Sequence, residues 1–521
     1  MSTSVSAIGV TLRSCVHFVL GALVAFASVY LLVPATINRF EINFDEGGNL
    51  AKAVLLGKGY SLYGDVWSDQ PPLYTLMLAK WFAWFGVHLG TARLLSMISG
   101  AVLLTALYKL IRIRRSALTS LVGAAMLLFS TKFLLFSSAA MIGIPALMWG
   151  VLGLLLCEYY HQRSAPASSS QGSQHGWLLL LASGICLGCG IMTKLYIVVL
   201  VPAYGVSLLL GACALHSNPT LRDSLPTIGK EFLLCCVGIC IAIAVIGIVG
   251  TPELVGAARE QLIRPHRSVM GFSEFAGMKR DFSAAVLRER WYVAAALICF
   301  PYLMWNRKWH VCIPAMWAIC VAVLFYHHFP IWEHYYPLLA APLGWIIVEG
   351  LAEALQQRAK GDSCSTRFPF GGYCRAALRY GTICMSLMAL RSLPHRAKVS
   401  RAVLPAQTQA PIDGALLNVL RELPEQRLLT DSPLYAILSN KAINPDFAVT
   451  SQKRLHAISG QEHLSLESRI KDEQPELILI KRFPGLLEGV SKDIWTGYRV
   501  AYQRGRTKLF VKNSAPFVPP Q

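Results

Sequence analysis

Apolar stretches of about twenty residues, separated by short polar segments, recur along most of the chain. A helix needs about twenty residues to cross a hydrocarbon core of roughly 30 Å, and it satisfies its own backbone there. The pattern predicts spans at approximately 14–36, 91–111, 116–136, 139–157, 177–193, 195–212, 232–250, 291–305, 311–329, 335–353 and 377–393, about eleven helices. The first run is longer than the apolar part of a signal peptide and no small-residue cleavage site follows it, so it reads as a retained signal anchor. "PLYTLMLAKWFAWFG" (Pro72 to Gly86) is apolar but short, and carries Lys80, Trp81 and Trp84. An interfacial helix suits it better than a span.

After about Arg391 the pattern changes. "RLLTD" (Arg427 to Asp431), "ELILIK" (Glu476 to Lys481), "YRVAYQRG" (Tyr498 to Gly505) and "KLFVKN" (Lys508 to Asn513) read as strands. "PLYAILSNK" and "LSLESRIKDEQ" read as helices between them. The expected organisation is a membrane module over 1–393, with external loops near 37–90 and 251–290, followed by a small α/β domain over 394–521.

Composition agrees: 54% of residues are hydrophobic and only 15% charged, with a mean hydropathy of +0.47, far from a soluble domain. Lys and Arg in short loops set the orientation. The clusters Arg112, Arg114, Arg115 and Arg307, Lys308 put the N-terminus in the cytoplasm and the C-terminal domain outside. Counting Pro72 to Gly86 as a span would put Arg112 to Arg115 on the wrong face. The net charge of +19 then reads as cytoplasmic anchoring and contact with anionic lipid head groups, not as nucleic-acid binding. All fourteen cysteines fall in expected spans or cytoplasmic segments, so no disulfide framework is indicated. Gly184 and Gly188, four apart in one span, predict a close helix contact.

Ionisable groups near a membrane are costly and are the natural functional candidates. They gather at one face: Asp45, Glu46, Asp65 and Asp69 in the first external loop; Glu260, Arg264, His266 and Arg267 in the second; and Glu333, His334 and Tyr335 in "FPIWEHYYP". Lys132 and Lys194 lie near outer ends of spans. A carboxylate can accept a hydroxyl proton while cations stabilise a departing phosphate, so the set suits transfer between a phosphate-linked lipid and a hydroxyl acceptor. No phosphate-cradling loop supports a nucleotide donor. A multi-span transporter or flippase of a lipid-linked sugar is the alternative; it predicts charges at mid-membrane and paired broken helices. A non-catalytic scaffold would make Asp45 dispensable.

The stretch from "NFDEGG" through "SDQPPLYTLMLAKWFAWFGVHLGTARLLS" resembles the first external loop of GT-C fold membrane glycosyltransferases, the protein mannosyltransferase and aminoarabinose transferase superfamily, in its bacterial members. The matching elements are Asp45 and Glu46, Pro71 to Leu73, and Ala92 to Leu94. The likeness continues in "GIMTKLY" (Gly190 to Tyr196), "RPHRS" (Arg264 to Ser268), "IWEHYYPLL" (Ile331 to Leu339) and the tail. It implies an α-helical polytopic GT-C-like fold and inverting sugar transfer from a polyprenyl-phosphate-linked donor to a lipid, polysaccharide or protein hydroxyl, at the outer face of a bacterial inner membrane. Asp45 matches the family's essential acid and is the expected base; Glu46 either assists or holds the loop. Lys194, Arg264 and Arg267 are the donor-phosphate candidates, and His266, Glu333, His334 and Tyr335 the sugar or acceptor candidates. Many relatives carry another acid in the second external turn, where "STKFLLFSSAAMIG" (Ser130 to Gly143) has none. No cofactor is required by the sequence, and divalent-metal dependence is left open.

Overall fold

Helices dominate the computed structural model, which describes residues 2–33, 42–164, 176–215, 221–264, 282–328, 331–359, 369–406, 413–424, 427–450 and 465–514. Each of the eleven expected spans corresponds to a helix. Among the described residues, eight are long and apolar enough to cross a membrane: 15–32, 89–112, 143–164, 176–193, 195–213, 225–248, 309–327 and 333–359. Ala117–Leu128, Arg290–Trp305 and Pro369–Ala406 complete the set.

The expected continuous span 116–136 is broken. Helix Ala117–Leu128 stops, and a five-residue helix, Phe133–Ser137, follows. Between them Lys132 adopts φ +69°, a left-handed conformation that an L-residue holds only where its surroundings fix it. Its ammonium pairs with Glu333, 3.1 Å away, and its carbonyl accepts from the Phe136 N–H.

The glycine pair in Gly176–Thr193 makes the close contact its spacing predicts. A Cβ on Gly184 would lie 2.1 Å from the Cys235 carbonyl oxygen, and one on Gly188 2.7 Å from the Ala242 Cβ. Helix Leu221–Ile243 thus lies backbone to backbone on Gly176–Thr193.

Helix Tyr336–Ala359 and the 3-10 turn Glu333–Tyr335 that leads into it bond neighbouring segments near both ends. Glu349 accepts from Arg115 at 2.5 Å and lies 3.1 Å from the His310 ring; Glu353 pairs with Arg115 and Lys308 at 3.3 and 3.2 Å. The two basic loops read from the sequence therefore meet at one end. At the other end, Glu333 takes Lys132 and Arg288.

At that second end sit two helices of the first loop. Phe44–Gly57 opens with Asn43 as N-cap, its side chain accepting from the Asp45 N–H. Leu73–Phe85 has 13 residues, about 20 Å, too short to span. It ends in exposed Trp84 and Phe85, and the Trp81 indole donates to the Thr91 carbonyl. These are the features of a helix lying at an interface.

The C-terminal residues form a five-stranded sheet of order β2-β1-β3-β5-β4, with β1 Arg427–Thr430, β2 Ala442–Ile443, β3 Leu477–Ile480, β4 Tyr498–Arg504 and β5 Thr507–Lys512. β1 pairs in parallel with β2 and β3; β5 pairs antiparallel with β3 and β4. Helices Pro433–Leu438 and Leu466–Glu473 occupy the expected intervals. Leu428, Leu434, Ala448, Leu477 and Leu509 pack into one core with Leu50, Ala51, Leu55, Tyr74 and Leu78 of the first loop.

Candidate functional site

Adjacent acids at the start of Phe44–Gly57 point about 100° apart, and their environments differ completely. Asp45 is exposed. Glu46 is fully buried: its oxygens accept from Arg93 at 2.9 and 2.8 Å, from the Ala140 N–H at 2.8 Å and from the Ile42 N–H at 2.6 Å. With that many donors on one carboxylate, Glu46 joins the loop helix to helix Leu89–Arg112 and to the Ala140 turn. Asn49 adds a bond from its amide to the Ala140 carbonyl.

Lys52 lies seven residues beyond Asp45, two turns along the same helix face. Its ammonium is buried and reaches the Ser68 hydroxyl at 3.4 Å, beside Asp69. Burial pushes the Lys52 amine below its ordinary value, against the opposing pull of Asp69 and then Asp45. The Asp69 turn is held from the second loop: Gln261 accepts from the Ser68 N–H at 3.0 Å and donates to the Tyr63 carbonyl at 2.8 Å. Asp65 is exposed and closes its own turn by accepting from the Ser61 N–H and hydroxyl. Those bonds hold its carboxyl below the usual range.

A cationic and aromatic group stands nearby. Helix Gly176–Thr193 ends, Lys194 turns extended, and a short 3-10 segment begins at Leu195. The Lys194 ammonium is buried, 2.8 Å from the His334 Nε2, and lies 4.9 and 5.0 Å over the Tyr196 and Tyr335 rings. Tyr335 meets His328 at 3.3 Å through its hydroxyl. Both Asp69 and Asp45 are within electrostatic reach of Tyr335, which links this group to the acids of the first loop.

Lys194, His334 and Tyr335 are thus brought together. Glu333 adjoins them, but its carboxylate is engaged by Lys132 at 3.1 Å and Arg288 at 2.7 Å. Arg264 is exposed and paired at 2.8 Å with Glu260, one turn earlier, and is not joined to Lys194 by any hydrogen bond or ion pair among the described residues. His266 and Arg267 lie outside the described residues. Lys52 and Gln261 were not singled out from the sequence. A lysine inside the apolar run "NLAKAVLLG" is the only signal that pointed to the former. Among the described residues no group of three or more His, Cys, Asp or Glu is placed to hold a metal ion.

Residues 39–245 match the family model described as dolichyl-phosphate-mannose-protein mannosyltransferase. ArnT from Cupriavidus metallidurans, in a crystal structure bound to undecaprenyl phosphate, aligns over 96% of this chain and 98% of its own, at 14% identity and a TM-score of 0.59. The chain shares the fold of this ArnT over nearly its whole length. The apo state of the same ArnT aligns over the same shares with a TM-score of 0.56. The Archaeoglobus fulgidus oligosaccharyltransferase tethered with an acceptor peptide aligns over 93% of this chain and 72% of its own, at 9% identity and a TM-score of 0.53. No curated protein sequence matches the chain. Asp45 and Lys194 both lie within residues 39–245, the part of the chain that the family model matches.

Proposed function

We propose that the protein is an inverting glycosyltransferase that moves a sugar from a polyprenyl-phosphate-linked donor to a hydroxyl of a lipid, polysaccharide or protein at the extracytoplasmic membrane face. The observation that carries this reading is an exposed acid on an anchored helix, Asp45, within electrostatic reach of Tyr335, whose ring lies 5.0 Å from the buried Lys194 ammonium. The undecaprenyl phosphate bound by the similar ArnT supports a lipid phosphate as the donor's leaving group.

In this reading the acceptor oxygen attacks the anomeric carbon from the face opposite the phosphate. The new C–O bond forms as the C–O bond to phosphate breaks, and the configuration inverts. The hydroxyl proton passes to the Asp45 carboxylate, and polyprenyl phosphate leaves as an anion facing Lys194. Glu46, with every oxygen occupied, is assigned to holding the helix. His334 and Tyr335 fix the ammonium and present a ring face to the sugar. Arg264, His266 and Arg267 remain second-loop candidates for phosphate or acceptor, and Glu333 reaches the acceptor only by giving up a cation.

The test is transfer by the purified protein from a panel of undecaprenyl-phosphate sugars to envelope lipids, with Asp45→Asn beside it. Turnover by the native chain and its loss in a folded Asp45→Asn variant are expected. Full turnover in that variant would remove Asp45 as base, and no transfer with any donor would sink the reading.

A further inference from the structure

The loop helix that carries Asp45 is held from two sides, and the outer side belongs to the C-terminal sheet domain. Asp431, at the end of β1, is buried. One of its oxygens accepts from the Lys481 N–H at 3.0 Å; the other accepts from the Arg482 and Phe483 N–H groups at 2.8 and 2.6 Å. Three successive amides on one carboxylate fix the backbone just after β3. The Lys481 ammonium adds a 2.7 Å bond to the Tyr435 hydroxyl, and Tyr435 is buried in helix Pro433–Leu438, which packs on the loop helix.

From that fixed segment Arg482 reaches across the boundary. Its guanidinium lies 4.5 Å over the Phe44 ring and 5.0 Å over Phe483, and donates to the Thr450 carbonyl at 3.3 Å. Phe44 is the first residue of the loop helix and the immediate neighbour of Asp45. Four residues on, a Cβ placed on Gly48 would touch the Ala448 carbonyl oxygen at 3.7 Å. Glu46 secures the membrane side of this helix end, and the contact from Arg482 secures the outer side.

We propose that Arg482 is a positioning residue: through Phe44 it sets the orientation of the Asp45 end of the loop helix, which makes the C-terminal domain a working part of the membrane module's active site. The proposal rests on Asp45 acting as the base in sugar transfer. Arginine suits the task because its flat cation stacks on two rings at once, and the Phe44–Arg482 contact needs no water-sensitive ion pair. The Asp431 carboxylate supplies the rigidity that a stacked side chain by itself would lack.

The test uses the full chain in nanodiscs, with Arg482→Ala, Arg482→Lys, Phe44→Leu and the double variant Phe44→Leu/Arg482→Ala. Two quantities are read: turnover with an undecaprenyl-phosphate sugar, and hydrogen exchange of the amides between Phe44 and Leu50. Misplacing a catalytic group by an ångström can cost on the order of 100-fold in rate. Arg482→Ala is therefore expected to lower kcat about tenfold or more, to leave the donor KM within about twofold, and to speed exchange in the Phe44 to Leu50 segment. Arg482→Lys recovers only a minor part of the loss, because an ammonium cannot stack on both rings, and the double variant is no worse than the more damaging single one.

Unchanged exchange together with unchanged kcat in a folded Arg482→Ala protein would overturn the proposal. So would losses that multiply in the double variant, because Arg482 would then act on something other than Phe44. If the native chain transfers no sugar from any donor, the glycosyltransferase reading falls. The exchange measurement still decides whether Arg482 holds the helix end.

Discussion

Glu46 meets Arg93 side by side inside the fold: Nε lies 2.9 Å from one carboxylate oxygen and Nη2 2.8 Å from the other, and neither side chain reaches solvent. Removing one partner from such a pair leaves an uncompensated charge, at a cost of about 3–5 kcal/mol. Arg93→Leu is expected to lower the thermal unfolding midpoint sharply, and Glu46→Gln to lower it less, because the amide oxygen still accepts. The double change Glu46→Gln/Arg93→Met recovers part of the loss. Calorimetry in one detergent compares all three; a native-like midpoint for Arg93→Leu would show that the pair does not anchor the helix.

Asp45, one residue earlier, is exposed, so its substitution tests chemistry and not folding. Asp45→Asn should retain the native midpoint and lose about 10²–10⁴ in turnover, the range for a general base. Single-turnover rates with saturating donor make the measurement independent of binding.

Lys194 is expected to act on the leaving phosphate. Lys194→Met should cut kcat/KM for the lipid donor by about 10²-fold, the scale for one well-placed electrostatic group. Tyr335→Phe, which keeps the ring under the ammonium, should cost far less. Equal losses in the two variants would point to packing in place of phosphate stabilisation.

Lys52 yields a pH prediction with a definite sign. Burial lowers its folded-state value below 10.5, so the unfolded chain holds the proton more tightly. Stability should then rise with pH through the window ending near the unfolded value of about 10.5. Lys52→Met removes the buried charge and should raise the unfolding midpoint at pH 7, with the advantage shrinking as pH approaches that limit. A lower midpoint at pH 7 would mean that attraction to Asp69 and Asp45 outweighs burial.

The glycine contact between Gly176–Thr193 and Leu221–Ile243 is tested by size alone. A methyl at Gly184 would sit 2.1 Å from a backbone oxygen, so Gly184→Ala forces the helices apart and should cost about 1–3 kcal/mol, the range for overpacking. Gly205→Ala, with nothing within 4 Å of its Cβ position, serves as the matched control.

Much of the architecture could be read from the sequence because membrane spans announce themselves by length and apolarity, and strands such as "ELILIK" by their flanking breaks. The interrupted span at Lys132 could not, since the Glu333 that Lys132 pairs with there lies two hundred residues away. The same limit applies to the site. Asp45 and Glu46 are equivalent as letters, and only the arrival of Arg93 on one side of the helix divides an exposed acid from a buried anchor. Arg264 is a phosphate candidate by placement, and the helical spacing to Glu260 already contained its ion-pair partner. Lys52 carries no local signal beyond being a lysine in an apolar run, because the acids that act on it come from the turn at Asp69 and the helix start at Asp45.

The shared core between the first-loop helices and the C-terminal sheet also bears on engineering. A chimera that takes the membrane helices from one relative and the tail from another would put Leu50, Leu55 and Tyr74 against side chains they were not shaped for. The helices Phe44–Gly57 and Leu73–Phe85 would have to be exchanged together with the C-terminal sheet whose core they share, although more than three hundred residues separate them along the chain.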